Sequence, residues 1–322
     1  MRAITFDHFG DESVLRIADV PSPALHPDEL RIAVRATAVN RADLLQRQGH
    51  YPPPPGASEI LGLEAAGIVS EVGANVRGWR EGERVMALLP GGGYAEEAVV
   101  HAGSAMRVPD ALSDEEAAAV PEVFLTAHHN LFDLARIRRG ESALVHGGGS
   151  GVGTAATTLL KLAGARVLVT VGSAEKAQQC IAHGADAAIN YRAEDFVEKA
   201  QGVDVILDHL GASYLPRDLQ ALNDGGRVVI IGSMGGERTA AIDVGLLLRK
   251  RLQVLGSVMR PRPASAKAEI VASFVARFGA DMEAGRIRPV IYRVMPLEEA
   301  ADAHRLMQTS EHFGKIVLRV RS

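Results

Sequence analysis

The sequence contains a single cysteine, Cys180, among its 322 residues. One cysteine excludes a disulfide within the chain and any zinc site built from several cysteines. Aromatic residues make up only 4% of the sequence, so the stacking surfaces that bind single-stranded nucleic acid are not indicated. The formal net charge of −4 also argues against a nucleic-acid partner, because such proteins usually carry a basic excess.

Long apolar runs are missing as well. No stretch reaches the roughly 18 uninterrupted apolar residues that indicate a membrane-spanning helix. The opening residues, MRAITFDHFG, lack the apolar centre of a secretory signal peptide. We therefore expect a cytoplasmic protein without a membrane partner. The length and the 47% hydrophobic content allow two domains with buried cores.

The first 120 residues have a β-rich pattern. Residues 29–39, ELRIAVRATAV, alternate apolar and polar side chains as a half-buried strand does. Residues 64–73 and 83–89 predict further short strands. Four consecutive prolines at 52–55 predict an irregular loop, because proline cannot donate to a strand ladder.

A helical pattern follows at 113–135. Ser113 and Glu116 have the spacing of a capping box, and Pro121 predicts a break between two helices. From Ala143 onward, buried strand patterns alternate with helix patterns, which predicts βαβ units and a parallel sheet. The predicted strands are 143–146, 166–171, 187–190, 203–208, 226–232 and 252–257. The predicted helices are 151–163, 174–183, 193–200, 213–221 and 243–250.

The pattern of the last sixty residues is similar to that of the first region. A helix is predicted to about residue 284, followed by a strand at 290–294, a helix at 297–308 and a strand at 315–320. The chain therefore reads as a dinucleotide-type domain inserted into a split outer domain.

The segment VHGGGSGVGTA at 145–155 contains five glycines in eleven residues. It lies between a buried strand pattern and a helix pattern that begins near Gly151. Strand, glycine turn and helix N-terminus together form an anion site, because the N–H groups point outward and the helix dipole adds about half a positive charge. We interpret Gly147, Ser150 and Gly153 as a dinucleotide fingerprint in which Ser150 replaces the middle glycine. The alternative is a βα turn with surplus glycine.

The next strand indicates which dinucleotide is bound. NAD enzymes usually place Asp or Glu about 20 residues beyond the glycine loop. Here RVLVTV leads into Gly172, Ser173 and Lys176, without an acid at the strand tip. A hydroxyl and a cation suit the 2′-phosphate of NADPH, and Tyr191 after the following strand offers a second hydroxyl. The alternative is a solvated lysine in the first turn of a helix.

Several segments resemble the zinc-free quinone oxidoreductase group of the medium-chain dehydrogenase/reductase superfamily. The most specific is NRADLLQRQGHYPPPPGASEILGLEAAGIVSEVG at 40–73, and GSGVGTAA, LDHLGA, GSMGG and FGKIVL support it. Ser150 and GSMGG are most similar to the tumour-suppressor-inducible NADPH quinone oxidoreductase branch. The resemblance implies an α/β protein in which a GroES-like outer domain comprises 1–121 and 263–322. It also implies that residues 122–262 form a Rossmann doubly wound parallel sheet, with the cofactor in the cleft between the two domains.

The resemblance also implies roles for single residues. Asn40 and Tyr51 are the candidate catalytic residues, facing the nicotinamide and the acceptor. Asn40 has an alternative role in satisfying a loop backbone, and Tyr51 in bracing the proline run. The further cofactor contacts that it implies are Thr126, Gly151, Val152, Met234, Met259 and Lys315.

No metal ion is predicted. Zinc-dependent relatives carry a cysteine and a Gly-His-Glu signature in the outer domain, whereas here Asn40 lies near the cysteine position and Leu63 stands where histidine would be. Glu64 remains, but one carboxylate is a poor zinc site. His128 and His129 are adjacent on a helix and point about 100° apart, so they are not a metal-binding pair.

The leading functional hypothesis is an NADPH-dependent quinone reductase with a small-molecule acceptor. One-electron and two-electron transfer both remain open. Enoyl reduction of an α,β-unsaturated thioester or ketone is an alternative, as is a non-catalytic NADPH-binding sensor or structural protein. Residues 251–259 read as the edge strand of the inner sheet, and in this superfamily the same strand of a second subunit covers that edge. We therefore expect a homodimer.

Overall fold

The computed structural model describes residues 1–321, which divide into two compact units. Unit 1 comprises Met1–Leu125 together with the chain from Met259 onward, and unit 2 comprises Thr126–Val258. The chain leaves unit 1 once and returns to it once. The second unit is therefore an insertion within the first.

The N-terminal part of the chain is mostly strands. Its strands are β1 (Arg2–Thr5), β2 (Arg16–Asp19), β3 (Glu29–Ala38), β4 (Glu64–Val72), β5 (Arg84–Leu88), β6 (Glu97–His101) and β7 (Ala105–Arg107). Its helices are α1 (Arg41–Arg47), α2 (Asp114–Ala118) and α3 (Pro121–His128). The predicted capping box at Ser113 and Glu116 is present at the start of α2. The sequence patterns did not predict helix α1.

The strands of unit 1 are mainly antiparallel. Strand β3 buries alternate residues along its first half, as its sequence predicts, and it pairs with both β4 and β6. Leu30, Ile32 and Val34 of β3 enter a hydrophobic core with side chains from the C-terminal segment. The proline run at 52–55 lies outside the helices and strands.

Unit 2 alternates strands and helices. Its strands are β8 (Ser142–Val145), β9 (Arg166–Val171), β10 (Ala187–Asn190), β11 (Val203–Asp208), β12 (Leu222–Ile230) and β13 (Gln253–Gly256). Its helices are α4 (Gly151–Leu162), α5 (Ala174–Ala182), α6 (Phe196–Lys199), α7 (Leu215–Ala221) and α8 (Val244–Lys250). Helix α6 is shorter than the predicted 193–200, and β12 begins four residues before the predicted 226.

The strands of this unit form one sheet in the order β10-β9-β8-β11-β12-β13. Every pairing in it is parallel, as the alternation of patterns predicts. Strand β9 is buried from Val167 to Val171 because helices cover both faces of such a sheet. Strand β13 lies at the edge, where the sequence placed the last strand.

The C-terminal segment completes unit 1. It contains α9 (Ala264–Glu283), β14 (Ile291–Pro296), α10 (Ala300–Thr309) and β15 (Lys315–Arg319). Strand β15 pairs with β3, so the end of the chain is part of the N-terminal sheet. Within residues 1–321, no helix is both long and apolar enough to span a bilayer.

Candidate functional site

The glycine loop connects the end of β8 at Val145 to the start of α4 at Gly151. Gly147 has a φ of +65°, which a residue with a side chain rarely adopts. A Cβ atom on Gly153 would lie 2.4 Å from the carbonyl oxygen of Gly147, so only glycine fits there. The loop therefore folds tightly onto the first turn of α4 and leaves that turn clear for an anion.

Ser150 is the N-cap of α4. Its hydroxyl accepts a hydrogen bond from the backbone N–H of Gly153 at 3.0 Å. This bond satisfies one of the helix-start amides, whereas Gly151 and Val152 are the first two residues of the helix. Serine in place of the middle glycine thus stabilises the start of α4.

The tip of β9 places three predicted residues together. Ser173 caps α5, because its hydroxyl accepts from the backbone N–H of Lys176 at 3.2 Å. A Cβ atom on Gly172 would lie 2.8 Å from the hydroxyl oxygen of Tyr191, so this hydroxyl reaches the strand tip. Lys176 is half-buried in the first turn of α5. The Tyr191 hydroxyl and the Ser173-capped start of α5, with Lys176 in its first turn, therefore lie beyond β9.

A buried polar group lies directly behind the glycine loop. His146 bonds Thr170 through Nδ1 and Asp218 through Nε2, each at 2.9 Å. Asp208 accepts from two backbone amides of the turn that follows it. One group of side chains within residues 1–321 has ligand atoms close enough together for a metal ion. It consists of His146, Asp208 and Asp218, whose ligand atoms lie within 4.8 Å of one another. Burial lowers the pKa of His146 to about 4, so its ring is neutral at pH 7.

In unit 1, Asn40, Glu64 and Lys315 form a second buried group, the Asn40–Glu64–Lys315 cluster. The ammonium of Lys315 lies 2.8 Å from Oε1 of Glu64 and donates to Oδ1 of Asn40 at 2.6 Å. Asn40 donates through Nδ2 to the same Glu64 oxygen at 2.9 Å. The carbonyl of Val39 accepts from Lys315 at 3.0 Å. The amide of the predicted catalytic residue is thus held by two oppositely charged side chains.

A chain of hydrogen bonds runs from this cluster into the core of unit 1. Arg47 lies 3.3 Å from Nδ1 of His304, and Nε2 of His304 lies 3.1 Å from the hydroxyl of Tyr94. Tyr94 donates to Asp43 at 3.2 Å, and Asp43 accepts from the backbone N–H of Asn40 at 2.8 Å. Because arginine only donates, Nδ1 of His304 is the acceptor and Nε2 carries the hydrogen.

Burial shifts the titration of this chain. It lowers the pKa of His304 to about 3 and raises the pKa of Asp43 to about 6. The sequence contained one signal of this chain, the aspartate three residues after Asn40 in NRAD. Arg47, Tyr94 and His304 carried no such signal, because they approach one another only in the folded chain.

Tyr51 is held by Arg260. Arg260 is buried and donates to the carbonyl of Tyr51 at 3.1 Å, to Oε1 of Gln46 at 2.7 Å and to the carbonyl of Pro90 at 2.8 Å. Its guanidinium carbon lies 5.3 Å from the centre of the Tyr51 ring. Burial and the nearby Glu122 raise the pKa of Tyr51 to about 12. Sequence reasoning did not identify Arg260.

Glu122, at the start of α3, is a second residue that the sequence reading missed. Its backbone N–H donates to Oε2 of Glu64 at 2.9 Å, which fixes this helix start on the Asn40–Glu64–Lys315 cluster. Burial, followed by the negative charge of Glu64, raises the pKa of Glu122 to about 8. Its carboxyl group is therefore mostly protonated at pH 7.

The remaining predicted residues lie elsewhere. Thr126 is buried in α3, and its carbonyl accepts from Asn130 at 2.7 Å. Met234 is exposed in the loop after β12, whereas Met259 is buried at the start of the second segment of unit 1. Among the bonds described for residues 1–321, none joins these three to the glycine loop or to the cluster.

The sequence matches two family descriptions. Residues 26–110 match the alcohol dehydrogenase GroES-like domain, and residues 183–318 match zinc-binding dehydrogenase. Over 99% of this chain, it is 33% identical to a quinone oxidoreductase of Rattus norvegicus, with 97% of that protein covered. The chain belongs to the quinone oxidoreductase group of the medium-chain dehydrogenase/reductase superfamily. This finding confirms the resemblance noted from the motifs.

Solved structures agree with this assignment. The quinone oxidoreductase of Escherichia coli complexed with NADPH is 28% identical, with a TM-score of 0.86, and the match covers 99% of this chain and 100% of that one. An NAD-dependent alcohol dehydrogenase is 33% identical with a TM-score of 0.84, at 99% and 100% coverage. The predicted fold, a GroES-like part and a Rossmann-like parallel sheet, is confirmed. This quinone oxidoreductase group member is a nicotinamide-dependent oxidoreductase.

Proposed function

We propose that the protein is an NADPH-dependent reductase of quinones that works without a metal ion. The observation that carries the choice of cofactor is the tip of β9. The Tyr191 hydroxyl reaches Gly172 there, and Ser173 and Lys176 stand at the start of the following helix, without a carboxylate at the strand tip to accept from ribose hydroxyls. A 2′-phosphate matches these groups in charge and hydrogen bonding, because it offers acceptors to hydroxyls, to a lysine and to helix-start amides.

The quinone acceptor is supported by the relatives. The rat protein and the E. coli structure are both named quinone oxidoreductases, and each matches nearly the full chain. Reduction of a quinone also requires few catalytic groups, because the reduced oxygens are stabilised by resonance. The half-buried Tyr51 and the buried amide of Asn40 supply a polar surface of the kind that orients a carbonyl compound.

Metal independence is supported by the Asn40–Glu64–Lys315 cluster. The one carboxylate there is ion-paired to the Lys315 ammonium at 2.8 Å. A metal ion beside Glu64 would face this positive charge, and it would find neither a histidine nor a cysteine at Asn40 and Leu63. Activity should therefore survive prolonged dialysis against a chelator.

A homodimer is the proposed assembly. Strand β13 is the edge of the parallel sheet, and its Val254 is 41% exposed. Val258, just beyond the strand, is 49% exposed. An apolar edge of this kind is usually covered, and the same strand of a second copy would cover it with two-fold symmetry. A mass equal to one chain at all dilutions would contradict this.

The decisive experiment measures oxidation of NADPH and of NADH by the purified protein with an ortho-quinone, and in parallel with a crotonyl thioester. Lys176→Met should weaken NADPH binding by about 10-fold or more, because a charge-assisted hydrogen bond is worth roughly 1.5–3 kcal/mol. It should leave NADH binding unchanged. Lys199→Met, an exposed lysine of the same unit, is the matched control and should change neither.

The other outcomes assign the alternatives. Turnover of the thioester alone would make the protein an enoyl reductase. Binding of NADPH without turnover of either acceptor would favour a sensor or structural role. Equal use of NADH and NADPH would contradict the assigned phosphate site.

A further inference from the structure

Glu122 lies beside the Asn40–Glu64–Lys315 cluster, and the proposed quinone reduction assigns it no role so far. It is the second residue of α3, and its backbone N–H is bound by Oε2 of Glu64 at 2.9 Å. The other oxygen of Glu64 binds Lys315 and Asn40. Glu122 is only partly exposed. The main chain of Glu122 is therefore fixed on the candidate catalytic cluster, and the residue keeps some access to water.

Glu122 has no ion-pair partner of its own among residues 1–321. Glu64 and Lys315 neutralise each other at 2.8 Å. The ammonium of Lys267 donates to the carbonyl of Arg260 at 2.8 Å. The titratable and charged groups that face Glu122 are Asp43 of α1, Tyr51, Glu64 of β4, Arg260, Lys267 of α9 and Lys315 of β15.

This setting favours the neutral acid. Desolvation acts first and the charge of Glu64 second, and together they raise the pKa of Glu122 to about 8, against the weaker opposing effects of Lys315 and Lys267. The other polar groups of the cluster are poorer acids. Tyr51 has a pKa of about 12, and the amide of Asn40 does not ionise. Lys315 already has three hydrogen-bond acceptors.

We propose that Glu122 is the proton donor to the acceptor, a role that rests on the proposed reduction of a quinone. A bound reduced nicotinamide would supply a hydride, which carries two electrons and one of the two hydrogens of the hydroquinone. As a carbonyl π bond of the quinone breaks, its oxygen forms a new O–H bond with the carboxyl proton of Glu122, which supplies the second hydrogen. Glu122 is left as a carboxylate and recovers its proton from solvent, to which it is partly exposed.

The test compares the wild type with Glu122→Gln, which keeps the shape and neutrality of the acid but has no acidic proton. Turnover of an ortho-quinone is measured from pH 6 to 9.5 in water and in deuterium oxide, and cofactor affinity is measured separately. A proton donor must be protonated to act, so wild-type kcat should be full below pH 8 and fall as the pH rises through about 8. Glu122→Gln should lower kcat at pH 7 by about 100-fold, since general acid catalysis contributes at least that much.

Further readouts separate catalysis from structure. Cofactor affinity of Glu122→Gln should stay within about twofold of wild type, and its solvent isotope effect and pH dependence near 8 should disappear. Glu269→Gln, an exposed residue of α9, is the matched control and should behave as wild type.

Failure of the inference differs from failure of the proposed function. Suppose that the wild type reduces quinone and that Glu122→Gln has the same kcat and the same pH profile. This result would overturn the role of Glu122 and leave the proposed quinone reductase activity intact. Loss of cofactor binding in Glu122→Gln would show a structural role and would also overturn it. If the wild type reduces no quinone with NADPH, both the proposed function and the role of Glu122 as proton donor are wrong.

Discussion

The glycine loop of unit 2 and the Asn40–Glu64–Lys315 cluster of unit 1 are built in opposite ways. The loop uses consecutive residues, and what matters is the side chain that its glycines lack. The cluster uses long side chains whose bonds join residues far apart, with Lys315 and Asn40 separated by 275 positions. The loop can bind an anion through backbone amides alone. The cluster holds its polar groups only if all its members are present, because each one neutralises another.

The largest effect should come from breaking that dependence with Lys315→Met. Lys315 and Glu64 are almost completely buried, and removal of the ammonium leaves a carboxylate without its counter-charge. Breaking a buried pair costs about 3–5 kcal/mol of unfolding free energy, measurable by urea denaturation.

Two further variants sharpen this test. Lys315→Met combined with Glu64→Gln should recover a large part of the lost stability, because no isolated charge remains. Lys161→Met removes one partner of a more exposed pair, with Asp186 at 2.8 Å, and should cost less than about 1 kcal/mol. Similar losses in the buried and the exposed variant would contradict our view of the cluster.

The second prediction tests the loop through Gly153→Ala. The new Cβ atom would lie 2.4 Å from the carbonyl oxygen of Gly147, and a backbone atom cannot turn aside as a flexible side chain does. The turn must open, so we expect nicotinamide cofactor affinity to fall by about 100-fold, or about 2.7 kcal/mol, in a fluorescence titration. Gly279→Ala inside α9, where the new atom meets only ordinary contact at 3.5 Å, should leave affinity unchanged.

The last prediction concerns the buried side chains behind the loop. Asp218 is fully buried, and one of its oxygens has no hydrogen-bond partner. Burial raises its pKa well above the ordinary value, so the folded protein binds a proton that the unfolded chain releases above about pH 4. Stability is thus lost as pH rises toward the raised pKa, by up to about 1.4 kcal/mol per unit.

Asp218→Asn removes this proton uptake. Its advantage in unfolding free energy over the wild type should therefore grow from pH 6 to pH 8, as measured by thermal or urea unfolding at both values. Asp195→Asn is the control, because the pKa of this exposed carboxyl is lowered and its effect should not change in that range. A constant difference between Asp218→Asn and the wild type would show that Asp218 is ionised in the folded state.

Several elements followed from local sequence. The predicted helix at 151–163 is α4, and the predicted strand at 166–171 matches β9 at both ends. These assignments succeeded because a parallel strand buried on both faces is continuously apolar and its helices repeat every 3.6 residues. Helix α1 was missed because it is short and mixes buried and charged residues, and because it is held by residues distant in the chain, such as Gly62, whose backbone N–H donates to Asp43.

The sequence by itself determined the family, the alternation that makes the parallel sheet, and the glycines that make the turn after β8, because these depend on residue type and on neighbours in the chain. Asn40 and Lys315 were singled out by resemblance, but nothing local indicated that they would bond each other. Only the tertiary structure joined them to Glu64 and brought Glu122 alongside. Burial and charge are properties of the folded environment, so the pairing of Lys315 and the proton held by Glu122 were decided there.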